Sequence, residues 1–420
     1  MNITVQRWID RWVGIPLCAA VSLWDSAARR IQPPLKHREP SAIVIILLSE
    51  MGSLVLAHDM FARLKARYPN AVLHALLFGK NREILDLMRV MDPANVHTVD
   101  DQSVSRLASS LWRAIGRLRR AGVDVAIDCE LFSRISSLLS YLCGARVRVG
   151  FHRHTQEGLY RGSFINCAVP YNPYHHISAQ FLALARAIDS NAVPKSKLTV
   201  LPVPLLTPRL PPQVELAPDQ VASIRQRLAQ DFPALGSKPL VLVYPGGGLL
   251  PIRAWPLASY AALCEGLIND GCAVAVIGLK DDQALARQLV ADVQSALRRT
   301  GVGGGEASAV FDLTGYTRSI AELLALFHVA SLLVTNDGGP GQFAALTPIW
   351  TLMLFGPETP ALYAPLTPKC QSFYSQWPCS PCLTAYNHRT SFCDGDNQCL
   401  KVIAPAAVLA SARACLAEPA

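Results

Sequence analysis

The stretch SAIVIILLSE, Ser41 to Glu50, is apolar at nearly every position. A strand with one face in water alternates apolar and polar residues. A strand without that alternation is covered on both faces, as in the middle of a parallel sheet. A turn, MGS, follows, and LVLAHDMFARLKARYP then carries helical spacing. The alternation continues with AVLHALLF as strand, NREILDLMRVM as helix, SVSRLASSLWRAIGRLRRAG as a basic amphipathic helix and VDVAIDCE as strand. Strands alternating with helices predict an α/β fold on a parallel sheet.

At 420 residues the chain exceeds the usual single-domain size, so two domains of about 150–200 residues are expected. The run LPVPLLTPRLPPQVELAP holds too many prolines for either regular element and reads as a linker. A second α/β series follows it: PLVLVYPGGG, PLASYAALCEGLINDG, CAVAVIGL, DDQALARQLVADVQSALRRTG, SIAELLALFHVA, SLLVTND and TLMLFG. The expected organisation is an amphipathic helical segment over 1–40 and a Rossmann-like domain over 41–200. A linker over 201–219, a second Rossmann-like domain over 220–403 and a C-terminal helix over 404–420 complete it. In such sheets ligands bind outside the carboxyl ends of the strands.

A hydrophobic content of 51% with 17% charged residues describes sizeable cores and excludes a disordered chain. The net charge of +8 suits acidic partners such as nucleotide phosphates or anionic lipid. The basic residues are scattered, and no arginine-rich arm, zinc finger or aromatic RNA-binding signature is present, so nucleic acid is not an expected partner. Asp10 and Arg11 interrupt the apolar run at the start of the chain, which therefore reads neither as a signal peptide nor as a spanning helix. Trp8, Trp12 and Trp24 with Arg7, Arg11, Arg29 and Arg30 fit a helix lying in a membrane interface. The same segment fits a helix packed on the protein's own body or on a second subunit. A cytoplasmic protein, with contact at the inner face of the cytoplasmic membrane under the first reading, is the expectation.

Four turns carry chemistry. YPGGGLLPIRAWP sets Gly246 and Gly247 directly after a strand, where amides can face an anion, and brings Arg253 close behind as a fork for phosphate oxygens. It is neither a Walker loop nor a GxGxxG fingerprint. GLKDDQ places Asp281 and Asp282 at a strand-to-helix junction, either to meet ribose hydroxyls or to cap the helix. TNDGGPGQFAAL offers Asp337, Gly338, Gly339, Gly341 and Gln342 at a helix start, where glycine amides can meet a diphosphate. FGPETP closes the series as a further strand-end turn.

In this order, PGGG…IRAWP, then DLTGYTRSIAELLALFHVASLLVTNDGGPGQFAA, then TLMLFGPETP resembles glycosyltransferase family 9, the heptosyltransferase family. The resemblance covers nearly the whole second half of the chain, with IVIILLSEMGSLVLAHDMFARLKARYPNA a weaker match in the first. It implies a GT-B fold, two Rossmann-like domains facing a cleft, and an inverting transfer of a sugar from a nucleotide donor without a catalytic metal. The implied donor, ADP-heptose, would sit against the second domain. A lipid-linked or lipopolysaccharide-type glycan acceptor would sit against the first. By position, Arg253 stands for the family's phosphate-binding lysine, and Gly338, Gly339, Gly341 and Asp337 would contact the donor.

Two departures follow. The family's first strand ends in a motif whose aspartate is the presumed base, whereas SEMGS places Ser53 there, and a serine cannot take the proton unaided. Glu130 and Asp128, at the end of another first-half strand, are the preferred replacements, ahead of Glu50. Gln342 replaces a histidine of the family pattern. EGLYRGSFINCAVPYNPYHHIS offers Tyr160, Arg161, Tyr174, His175 and His176 to an acceptor, or as local packing. Cys379, Cys382, Cys393 and Cys399, spaced C-x2-C-x10-C-x5-C, fit a structural zinc or iron site in a reducing compartment better than two disulfides or four free buried thiols. A transferase acting on the envelope leads over a protein-directed one and over a catalytically silent sugar-nucleotide-binding protein.

Overall fold

A computed structural model describes residues 3–31, 39–48, 50–152, 160–189, 207–299, 309–386 and 390–418. The first six residues of the linker read at 201–219 and the start of the loop read from Glu157 lie outside the described residues. The chain divides into two compact units, Met1–Arg209 with Ala385–His388, and Leu210–Thr384 with Arg389–Ala420.

The first unit carries six strands: β1 (Ala42–Ile46), β2 (Val72–Phe78), β3 (Val96–Val99), β4 (Val125–Asp128), β5 (Val147–His152) and β6 (Cys167–Pro170). The second carries β7 (Leu240–Tyr244), β8 (Ala273–Gly278), β9 (Val310–Thr314), β10 (Leu332–Asn336), β11 (Trp350–Phe355) and β12 (Cys370–Tyr374). Every pairing is parallel. The sheet orders are β3-β2-β1-β4-β5-β6 and β12-β11-β10-β7-β8-β9, so the same winding occurs twice. All five residues of β1 and of β7 are buried, which is why their sequences do not alternate. In each sheet the connections diverge between two central neighbours, β1 and β4 or β7 and β10. That switch point leaves a crevice at the strand ends, where ligands of open α/β sheets bind.

The residue that ends the fourth strand of each sheet is buried and polar, Asp128 in the first and Asn336 in the second. Asp128 pairs with the guanidinium of Arg161 and accepts from Ser136 Oγ at 3.0 Å and from the Glu130 amide at 3.1 Å. Arg161 then donates to the carbonyls of Ser133 at 2.9 Å, and of Glu130 and Phe151 at 3.1 Å each. One buried ion pair thus ties the ends of β4 and β5 to the helix Arg134–Leu142. Burial pushes the Asp128 carboxyl up to about 6, with Arg161 pulling against it.

Two helices precede the first sheet, α1 (Ile3–Trp12) and α2 (Gly14–Ile31). The inner face of this segment packs on the unit itself. Asp10 accepts from the amides of Arg134 at 2.8 Å and Ile135 at 3.0 Å, capping that helix from outside, and pairs with the Arg134 side chain at 3.1 Å. Asp25 pairs with Arg148 at 2.9 Å. Gly14, Cys18, Ser22 and Asp25 form the buried stripe of α2. A Cβ at Gly14 would stand 2.8 Å from the Cβ of Arg134, so glycine there sets how closely the helix approaches.

Asp128→Ala leaves Arg161 charged and buried. We expect it to lower unfolding stability by about 3–5 kcal/mol in urea titration, the cost of breaking a buried pair from one side. A loss under about 1 kcal/mol would show that the pair does not anchor the unit.

Candidate active site

The second unit's crevice is built around Asn336. Its Oδ1 accepts from the Trp255 amide at 2.9 Å and from Tyr260 Oη at 3.1 Å. Its Nδ2 donates to the carbonyls of Tyr244 at 3.4 Å, Pro245 at 3.1 Å and Gly246 at 3.0 Å. One side chain at the end of β10 therefore fixes the glycine-rich loop after β7 and the segment that follows Arg253. The loop folds back tightly, since a Cβ at Gly247 would lie 2.7 Å from the Leu250 carbonyl oxygen and from the Cα of Pro251. Gly248 has φ +58°, in the region that favours glycine. The turn ends in a short 3-10 helix, Pro251–Arg253, that aims Arg253 inward.

Arg253 donates from Nη2 to Glu358 Oε2 at 2.6 Å, and its Nε lies 3.6 Å from Asp337 Oδ2. The Asp337 amide is itself held by the Leu354 carbonyl at 2.9 Å. Burial alone would favour a neutral guanidine at Arg253, but facing Asp337 and Glu358 raise its pKa and hold it charged. Burial pushes Glu358 well above the usual carboxylate range; Arg253 lowers it, and Asp337 beside it raises it. Two acids crowd one buried cation. Such a group can hand Arg253 to an incoming phosphate while keeping an acid for sugar or ribose hydroxyls.

The other donor-side candidates divide. Gly338 is extended and opens on space, with nothing nearer than 3.9 Å to an added Cβ, and Gly339 begins the helix Gly339–Ala344. Gly341 instead packs under Met353, whose Sδ would lie 2.7 Å from a Cβ, so its smallness serves the core. Gln342 is buried and its Nε2 donates to the Tyr363 carbonyl at 2.7 Å. Of the two aspartates after β8, Asp282 caps its turn through the Leu279 amide at 2.8 Å and leans toward Gly246, while Asp281 is exposed.

In the first unit the crevice between β1 and β4 holds the acids. Glu50 stands at the N-terminus of α3 (Met51–Leu56) and accepts from Ser53 Oγ at 2.9 Å. Glu130, just past β4, accepts from the Leu48 amide at 2.6 Å. Asp128 is fully enclosed beneath them and spends its oxygens on Arg161, Ser136 and the Glu130 amide. It is a structural acid and not a reachable base. Arg161 is its partner, and Tyr160 packs on α2 with its hydroxyl 3.1 Å from Ser22 Oγ. His176 caps the helix Ile177–Ala187 by accepting from the Ser178 amide at 3.3 Å, whereas Tyr174 and His175 stay exposed.

The geometry leaves the four-cysteine metal reading unconfirmed. Among the described residues no three His, Cys, Asp or Glu side chains form a group that could hold a metal ion. Cys379 and Cys393 are exposed and Cys399 is buried. The Cys382 sulfur accepts from Ser391 Oγ at 3.2 Å, and Cys393 Sγ lies 3.6 Å from Asn397 Oδ1. Burial pushes the Cys399 thiol up to about 11, with the other three cysteines adding to the shift.

Asn336 and Glu358 lie within the TNDGGPG and FGPETP turns and carry no chemical signal of their own there. Asparagine before an aspartate reads as loop polarity, and glutamate between two prolines reads as a turn.

Residues 111–391 match the family described as "Glycosyltransferase family 9 (heptosyltransferase)". The chain is 27% identical over 330 residues to lipooligosaccharide heptosyltransferase 2 of Haemophilus ducreyi, covering 77% of this chain and 86% of that one. Its fold is similar to that of the ADP-heptose lps heptosyltransferase II of E. coli, with a TM-score of 0.66 and 21% identity over 89% of this chain and 98% of that one. It is also similar to the iron-containing dodecameric glycosyltransferase TibC of enterotoxigenic E. coli, with a TM-score of 0.52 and 13% identity over 91% and 77%.

Asn336→Ala removes the side-chain partner of the Pro245 and Gly246 carbonyls and of the Trp255 amide, and we expect a loss of about 1–3 kcal/mol in stability. Calorimetry with ADP should show weaker binding by about tenfold or more, because the loop amides lose their fixed positions. Wild-type affinity in this variant would show that the loop does not depend on Asn336.

Proposed function

This chain belongs to glycosyltransferase family 9, and from that premise we propose that it moves heptose from ADP-heptose to a lipopolysaccharide core-type acceptor with inversion at the anomeric carbon. The observation that carries the donor side is Arg253, held charged between Asp337 and Glu358 at the mouth of the Gly246–Gly248 loop. The 27% identity to an enzyme named lipooligosaccharide heptosyltransferase 2 supports the sugar and the acceptor class. An acceptor of that class lies at a membrane surface, so the reading carries peripheral contact with the cytoplasmic membrane.

A hydroxyl oxygen of the acceptor attacks the anomeric carbon as its proton passes to a carboxylate. The bond from that carbon to the diphosphate oxygen breaks, and the pair of electrons leaves with ADP. Arg253, released from Glu358, meets the negative charge that grows on the diphosphate, and the amides near Gly246 and Gly338 add donors. Asp337 turns its oxygens to hydroxyls of the donor.

For the base we assign Glu50. Ser53, which occupies the place of the family's aspartate, donates to Glu50 at 2.9 Å, so the pair returns a carboxylate to that region of the crevice. Glu130 steadies the end of β1 through the Leu48 amide and acts by position. Asp128 has no part in proton transfer.

The test is ADP release by purified protein given ADP-heptose and a heptose-deficient core acceptor. Arg253→Ala should lower kcat by about 10²–10³-fold, the usual loss when a donor to developing charge is removed. Glu50→Gln should lower it by about 10²–10⁴-fold with donor affinity retained. Full activity in Glu50→Gln together with loss in Glu130→Gln would move the base to Glu130. No release from any variant or from wild type would leave a sugar-nucleotide-binding protein.

A further inference from the structure

α2 packs on its own unit through one face and leaves an apolar face opposite it uncovered. The buried stripe runs through Gly14, Cys18, Ser22 and Asp25. Opposite it, at helical spacing, lie Pro16, Leu17, Ala20, Leu23, Trp24 and Ala27, all exposed. Leu23 is 75% and Trp24 is 70% exposed, values that a side chain with a packing role does not keep. Trp8 and Trp12 of α1 are likewise exposed, at 59% and 60%.

The charges sort in the same way. Asp10 and Asp25 are the only acids between residues 1 and 31, and both turn inward onto Arg134 and Arg148. Arg11 and Arg30 are exposed, and the Arg11 guanidinium lies 5.5 Å from the centre of the Trp12 ring. Arg29 is drawn back to Asp25. The outer face therefore presents indole and leucine flanked by positive charge alone. No described helix is long and apolar enough to cross a membrane.

We propose that the outer face of α1 and α2 is a docking surface for an anionic lipid bilayer, on which both helices lie in the plane of the interface. Tryptophan and leucine enter the boundary between headgroups and acyl chains, and the arginines keep their heads among lipid phosphates. The inward acids lock the helices to the unit at Asp10 and Asp25, so the surface is rigid before it meets the lipid. A second copy of the chain would have to bring a matching set of acids to this face, and residues 1–31 offer none beyond Asp10 and Asp25, which are turned inward. The proposal deepens the envelope-acceptor reading by giving that reading a surface, yet its chemistry does not use the donor site.

The experiment is flotation of the full chain, without donor, on vesicles of phosphatidylcholine and on vesicles with phosphatidylglycerol added. Binding should require the anionic lipid and weaken as salt rises. Leu17→Glu with Trp24→Glu should cut it by about tenfold or more while circular dichroism and the melting temperature stay unchanged. Arg11→Gln with Arg30→Gln should weaken binding and flatten the salt dependence. Wild-type binding by the Leu17→Glu, Trp24→Glu protein would overturn the proposal. So would a lipid-free dimer that this variant converts to monomer, which would assign the face to a second copy. ADP release on a soluble core oligosaccharide reads the transferase separately, so failure of either leaves the other standing.

Discussion

Parallel strands whose following connections leave in opposite directions cannot cover their own carboxyl ends. Everything chemical in this protein depends on that constraint, which is met twice, between β1 and β4 and between β7 and β10. Backbone groups at such an opening lack sheet partners. Side chains have to satisfy them, and those side chains decide what the crevice can bind.

The two sheets solve the same problem with different groups at matching positions. Asn336 has both donors and an acceptor, so one amide reaches three carbonyls and two donors without help. Asp128 only accepts when ionised, so the carbonyls around it need a separate donor, and Arg161 supplies it. The first solution is neutral and leaves the neighbouring Arg253 to face ligand. The second consumes its cation internally, so the chemistry of the first crevice passes to acids nearer the opening, Glu50 and Glu130.

In the donor crevice, electrostatics is arranged around a shortage of positive charge. Arg253 faces two buried acids, and Glu358 keeps a raised pKa because its carboxyl is desolvated and has Asp337 beside it. A diphosphate that displaces Glu358 from Arg253 relieves that crowding in the same step. Under the proposed function, a glutamate there makes donor binding an exchange of partners for Arg253.

The sequence by itself determined the two parallel sheets, because strands buried on both faces cannot alternate, and their apolar runs are visible in SAIVIILLSE and PLVLVY. It also set Arg253 and Asp337 in turns that follow such strands, and the fold brings them within 3.6 Å of each other. Tertiary structure alone separated the acids. Asp128 and Glu130 are two residues apart, yet one is enclosed by Arg161 and the other stands at the crevice, a difference set by a residue 33 positions away. It also separated the glycines, since Gly338 opens on space while Gly341 lies against Met353. For the cysteines, spacing is a property of the chain, but ligation depends on where the backbone carries each sulfur. Among the described residues Cys382 stands beside Ser391 and Cys393 beside Asn397, and both act on the buried Cys399 thiol. Local pattern records which side chains must be buried, and only the folded chain decides which partners they are buried with.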